Sequence, residues 1–211
     1  MIKRNDLSLK SKYRTNGWVG LKQAINIERI NKVLNHIDEL LIRELEVLNF
    51  SKHILKTSIS NKLIELKKAA PKRASWVYET CRTSFVFYEF IFNLEQDIIE
   101  VIKELLDTTS ISSLCITSPN LRMDSPEHLK NARPMHQDSA YFQEVRKDGR
   151  GLVAWIPLCE VSEDLGSLSL INKSHKNGFV QPNYIESNGF NSEQYLIPDK
   201  YIDKGQQEIL K

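Results

Sequence analysis

The sequence predicts an α+β fold, with helices in its first half packed on the outside of a β-rich second half. Three observations predict it. Apolar residues recur at three- and four-residue spacing through most of the first hundred positions. From residue 108 that grammar gives way to short runs rich in β-branched residues and serine. The two kinds of segment also follow one another and do not alternate, which is the order of an α+β domain and not of parallel β-α units. At 211 residues the chain suits one domain. It is long enough to bury roughly 70% of its unfolded surface. Residues 1–107 are expected to form the helical part and residues 108–211 the β-rich part.

The opening MIKRNDLSLKSKYRTNGW is basic but has no apolar core, so it is not a secretory signal. In residues 21–50 the positions Ile27, Ile30, Val33 or Leu34, Ile37, Leu40 or Leu41, Leu45 and Leu48 fall on one face of a helix. Heptads are not sustained, so this stripe is expected to pack within its own domain and not in a coiled coil. A shorter helix is expected over residues 60–69, and Pro71 suits the start of the next. Residues 72–92 and 94–106 read as two more helices separated at Asn93. The run FVFYEFIFNL (85–94) carries Glu89 and is too short for a membrane span of about 20 residues. In the second half TTSISSLCITS (108–118), LVAWIPL (152–158) and SLSLIN (167–172) read as strands, and DGRG (148–151) and EDLG (163–166) as turns.

Charge and cysteines exclude several functions. The formal charge is +2 and Lys and Arg are dispersed, which gives no footprint for nucleic acid. Cys81, Cys115 and Cys159 are odd in number and far apart, so neither a disulfide framework nor a zinc motif is expected. They read as reduced and mostly buried thiols of a cytoplasmic protein. No Ser-His-Asp triad, phosphate-binding glycine loop or Cys-x-x-Cys motif is present.

One stretch carries chemistry: MHQDSAYF, residues 135–142. On a strand, residues two apart share a face. His136 and Asp138 would then present an imidazole nitrogen and a carboxylate oxygen to one metal ion, with Gln137 turned elsewhere. A second histidine and open positions would make this the facial triad of non-haem Fe(II) oxygenases. Three letters alone favour a surface loop with an incidental pair, since His-x-Asp occurs by chance in many proteins. Elsewhere, His36 and His53 read as surface or satisfied histidines. His128 lies on a loop before the pair and is a weaker candidate for the metal. Arg122 is expected to form a salt bridge in preference to facing a cavity, and Glu160, Glu163 and Asp164 to form a solvated turn.

The segments SPNLRMDSP (118–126), MHQDSAYF (135–142), VAWIPL (153–158) and GSLSLINKSHKNG (166–178) together resemble the phytanoyl-CoA dioxygenase family of Fe(II)/2-oxoglutarate oxygenases, and more narrowly its bacterial members. The resemblance implies a double-stranded β-helix, or jelly roll, buttressed by helices. It implies that His136 and Asp138 bind Fe(II), that Gln137 and Trp155 lie near the 2-oxoglutarate pocket, and that a small organic molecule is the substrate. Related halogenases replace the carboxylate with a small residue, so Asp138 favours hydroxylation.

The chain departs from the family in two places. Asn172 and Lys173 stand where Pro-Gly is usual, before Ser174 and His175. The family's second histidine ligand and the Arg that pairs with the far carboxylate of 2-oxoglutarate belong to later strands, yet no His or Arg follows Lys176. The expectation is an incomplete jelly roll lacking its final strands: a fragment, half of an enzyme completed by a second chain, or a degenerate relative. His175 is the one histidine downstream of the pair and a substitute candidate for the third ligand. Its plainer reading is a turn residue bonded to backbone. The competing function is a non-catalytic jelly-roll binding protein that has lost iron chemistry.

Overall fold

The structure, a computed structural model, describes residues 8–117, 119–124, 134–141, 151–162, 166–185 and 194–209, the side chain of Glu95 aside. His128, Phe142, Glu163, Asp164, most of DGRG and most of EDLG lie outside the described residues.

The chain divides into two compact units. One comprises Lys22–Glu100 and Ser110–Glu127; the other comprises Met1–Leu21, Val101–Thr109 and His128–Lys211. The last α-helix ends at Leu105, close to the change of character at residues 107–108.

The first of these units is helical. Helix α2 (Ile27–Val47) starts where Asn26 accepts a hydrogen bond from Glu28 N at 2.8 Å. Its expected face is largely the one it buries: Val33, Ile37, Leu40, Leu41 and Leu45 are buried, while Ile27 in the first turn is exposed. After a single turn, α3 (Lys52–Leu55), comes α4 (Ile59–Ala69), capped by Ser58 and burying Leu66. Helix α5 (Pro71–Arg82) begins with Pro71 at its first position, as its missing N–H and fixed φ predict, and buries Ala74, Val77 and Cys81. Helices α2, α4 and α5 pack pairwise on one another. Two cations serve this core: the buried Lys62 meets Asp38 at 2.6 Å, and Arg73 meets the buried Glu44 at 2.6 Å. Removing one partner of such a pair leaves a desolvated charge uncompensated.

The expected break at Asn93 is absent. Helix α6 runs unbroken from Phe85 to Leu105, and the interruption falls at Thr83–Ser84, where Ser84 Oγ accepts from Phe87 N at 3.1 Å. An interior Asn costs a helix less than about 0.7 kcal/mol. Burial of Phe87, Phe90 and Ile98 on the same helix outweighs that cost. The Asn93 carbonyl also accepts from Arg29 at 2.8 Å. No helix among the described residues is long and apolar enough to cross a membrane.

The second unit opens with a helix the periodicity did not reveal, α1 (Leu9–Asn16). Its signals are a serine cap, Ser8, and a glycine stop, Gly17, at φ 87°. Lys10 and Arg14, one turn apart on its surface, both hold Asp107, whose carboxyl they keep below the usual carboxylate range, Lys10 foremost. Two short antiparallel ladders lie later in this unit. Strands β1 (Ser169–Ile171) and β4 (Gln207–Ile209) form one ladder, with Leu170 opposite Glu208. Strands β2 (Asn183–Ile185) and β3 (Gln194–Leu196) form the other, with Tyr184 opposite Tyr195.

The fold is thus a mixture of helix and small antiparallel sheets, as expected; a closed jelly-roll barrel is not seen among the described residues. Two expected strands are corrected. Residues 108–117 hold only a 3-10 turn, Ile111–Ser113, and residues 152–158 hold no strand. β-branched composition permits an extended chain, but a strand exists only with a hydrogen-bonded neighbour. SLSLIN has one in β4; the other two runs have none among the described residues.

The expectation of mostly buried cysteines is corrected: Cys115 and Cys159 are exposed, and only Cys81, on the packed face of α5, is buried. Burial pushes the Cys81 thiol from 9.0 up to about 11. The folded state therefore keeps its proton across a window in which the unfolded chain loses it, so stability falls as pH rises from 9 to 11. We expect a thiol reagent at pH near 8 to titrate two cysteines rapidly and the third only after denaturation. We also expect urea unfolding to show an alkaline loss of up to about 1.4 kcal/mol per pH unit that Cys81→Ala removes.

Candidate metal centre and its cleft

His136 lies on a segment held by one hydrogen bond to the chain beyond β3 and one within itself. Met135 O accepts from Ile197 N at 2.9 Å, just beyond β3. The Pro134 carbonyl meets His136 Nδ1 at 2.7 Å. A carbonyl oxygen only accepts, so Nδ1 carries the proton, and Nε2 is the atom left to face Asp138. Nε2 and Asp138 Oδ1 are 3.3 Å apart. In the neutral ring both present lone pairs, a repulsive arrangement that a proton or a cation between them relieves.

With metal–ligand bonds of about 2.0–2.2 Å, two adjacent ligands of one ion stand about 3 Å apart. The pair therefore fits a metal ion, and the Nδ1–carbonyl bond is the usual support that orients a ligating histidine. Among the described residues no third His, Cys, Asp or Glu joins the two in a metal-binding group.

The geometry arises differently from the expected strand. Gln137 is extended, at φ −105° and ψ 128°, but Asp138 begins a 3-10 turn through Ala140. One extended residue between them suffices to bring the two side chains together. Gln137 is itself a brace. Its Nε2 donates to Gly178 O at 2.9 Å, and its Oε1 accepts from Val180 N at 2.8 Å. This side chain makes the two bonds to residues 178–180 that a neighbouring strand would otherwise supply.

Tyr141 and Tyr195 escaped the sequence reading. Tyr141 stands edge-on to the His136 ring, with centroids 5.6 Å apart, and edge-on to Tyr195 at 5.0 Å. Its hydroxyl accepts from Tyr195 N at 3.2 Å. The available signal was the aromatic ending of MHQDSAYF, since a tyrosine beside a histidine both packs and hydrogen-bonds.

His136 and Gln137 line a cleft of about 140 Å³. Trp18, Leu170, His175 and Ile197 also line it, and none of the described lining residues is Lys, Arg, Asp or Glu. Trp155 is not among the residues lining it and is 40% exposed. His175 Nε2 donates to Arg14 O at 2.9 Å. In the other unit, Arg122 pairs with Asp124 at 2.9 Å. There His53 is exposed, and His36 Nε2 is buried with no hydrogen-bond partner among the described residues. Glu160 is exposed.

The family model described as "Phytanoyl-CoA dioxygenase (PhyH)" matches residues 13–208, most of the chain. The chain belongs to the phytanoyl-CoA dioxygenase family. No curated protein and no solved structure matches it.

Membership gives meaning to the departure at residues 172 and 173. Lys173, where glycine is usual in the family, has φ 63° and ψ 5°, the left-handed region that glycine enters freely. Asn172, in place of proline, accepts from Trp18 Nε1 at 2.6 Å and donates its amide to Glu208. Its backbone N–H, which proline lacks, donates to Gln206 O at 2.9 Å beside the β1–β4 ladder. We expect Lys173→Gly to raise stability in urea by roughly 0.5–1 kcal/mol, because the left-handed penalty of an L-residue exceeds the chain-entropy cost of glycine. Asn172→Pro, which restores the family residue, should destabilise by at least about 1 kcal/mol through the lost hydrogen bonds.

Proposed function

We propose that the protein is an Fe(II)- and 2-oxoglutarate-dependent oxygenase of the phytanoyl-CoA dioxygenase type that hydroxylates a small organic substrate. The observation that carries this reading is the 3.3 Å approach of His136 Nε2 to Asp138 Oδ1, with the imidazole oriented by the Pro134 carbonyl. Family membership over residues 13–208 supports it. His136 and Asp138 would hold the iron. Gln137 and Trp155 would flank the 2-oxoglutarate pocket. The two antiparallel ladders would belong to the family's jelly-roll core.

Bound iron and 2-oxoglutarate would supply oxygen activation coupled to decarboxylation, giving succinate and CO2. The chain's own residues do the positioning. The Pro134 carbonyl keeps the proton on Nδ1, so that Nε2 offers its lone pair. The edge of Tyr141 limits rotation of the imidazole. Gln137 ties the ligand segment to residues 178–180. Trp18, Leu170 and Ile197 make that wall of the cleft apolar, which excludes water from an oxidising centre. The facial triad takes one more ligand, which metal titration can locate.

Anaerobic titration with Fe(II) and 2-oxoglutarate should produce the weak visible charge-transfer band of the chelate, absent in His136→Ala and in Asp138→Ala. Folded protein that binds no Fe(II) would sink this reading and leave a jelly-roll binding protein. Gln137→Ala keeps both ligands and removes their brace; affinity for the metal should fall about ten-fold.

A further inference from the structure

The C-terminal end of α1 meets the turn at Asn172–His175 through three hydrogen bonds. Lys173 N donates to Asn16 O at 2.8 Å. Trp18 Nε1 donates to Asn172 Oδ1 at 2.6 Å. His175 Nε2 donates to Arg14 O at 2.9 Å. The last bond serves a carbonyl that the helix leaves without a partner of its own, since the last four carbonyls of any α-helix have none within it. A histidine donor is well suited to a helix C-terminus, where the dipole is negative.

Gly17 makes the approach possible. It has φ 87°, and a Cβ at this position would overlap His175 Nδ1. The imidazole therefore occupies a slot that only glycine leaves open. One of its nitrogens is bonded to α1 and the other lies against the α1 stop. Asn16, Gly17, Trp18 and His175 line the same cleft as His136 and Gln137. Lys10 and Arg14 hold the flank of α1 to Asp107, but neither is among the residues lining the cleft.

We propose that His175 is a latch: by capping α1 it fixes Asn16, Gly17 and Trp18 as a wall of the cleft, and so acts as a positioning residue, through Trp18, for whatever the cleft binds. This role is independent of any metal. It also gives the one histidine downstream of the metal pair a task other than ligation.

The test begins with metal-free protein. In a Trp76→Phe/Trp155→Phe background, Trp18 is the sole tryptophan, and both replaced residues are substantially exposed. His175→Ala should shift Trp18 emission to the red and speed trypsin cleavage after Arg14 about ten-fold, the effect of one lost hydrogen bond on local opening. His175→Gln should restore both values, because its amide N–H reaches the same class of acceptor. Gly17→Ala displaces the imidazole from the other side and should reproduce the His175→Ala phenotype. In Fe(II) titration His175→Ala should retain the binding that His136→Ala loses.

Unchanged emission and cleavage in His175→Ala would overturn the latch. So would a His175→Gln variant as impaired as His175→Ala. Loss of Fe(II) binding in His175→Ala would overturn it in favour of ligation. If the wild-type protein binds no Fe(II), the oxygenase reading fails while the emission and cleavage results still decide the latch.

Discussion

Residues 134–138 carry the candidate ligands without lying in a sheet, so their position depends on hydrogen bonds that a sheet would otherwise supply. A buried backbone without ladder partners is costly, and a ligand segment that drifts is useless for metal binding. Here the bonds come from three sources. Ile197 N serves Met135 O, the Pro134 carbonyl takes the His136 proton, and the Gln137 amide serves Gly178 and Val180 in the manner of a strand. The tautomer of His136 and the direction of its free electron pair follow from the second of these. The relation of the ligands to the cleft follows from the third.

The same unit has left-handed backbone on either side of one contact. Gly17 and Lys173 both have positive φ, and their neighbours exchange hydrogen bonds across the α1 end. Glycine takes that conformation freely; lysine does not. The bonds from Asn172 to Trp18, Glu208 and Gln206 supply the compensation. The left-handed backbone at Lys173 thus sits beside a residue whose bonds hold the turn, an example of neighbouring residues that cannot be judged singly. The helical unit is built on different physics. Its core is a continuous set of aliphatic side chains from α2, α4 and α5, and each of its two most buried ionic groups has an opposite charge at 2.6 Å.

Much of the helical unit was legible in the sequence because periodicity and capping are local. The face of α2, the start of α5 at Pro71 and the residues of α4 all follow from spacing and from single-residue backbone chemistry. Asn93 misled because a weak local preference lost to burial along α6, whereas Ser84, one hydroxyl at the right place, set the true boundary. The β half was harder for the opposite reason. Pairing is non-local, and LVAWIPL and SLSLIN look alike until one asks which has a neighbour.

By itself the sequence determined the α+β class, the amphipathic helices, the His136–Asp138 pair and the family to which they belong, since each rests on residues close together in the chain or on a motif. Tertiary structure decided which polar atoms meet across long separations. Gln137 reaches residues 178–180, Tyr141 reaches Tyr195, and His175 reaches Arg14. The last of those contacts chooses the acceptor of His175, and a hydrogen bond is decided by where its acceptor lies in space, which spacing along the chain does not encode.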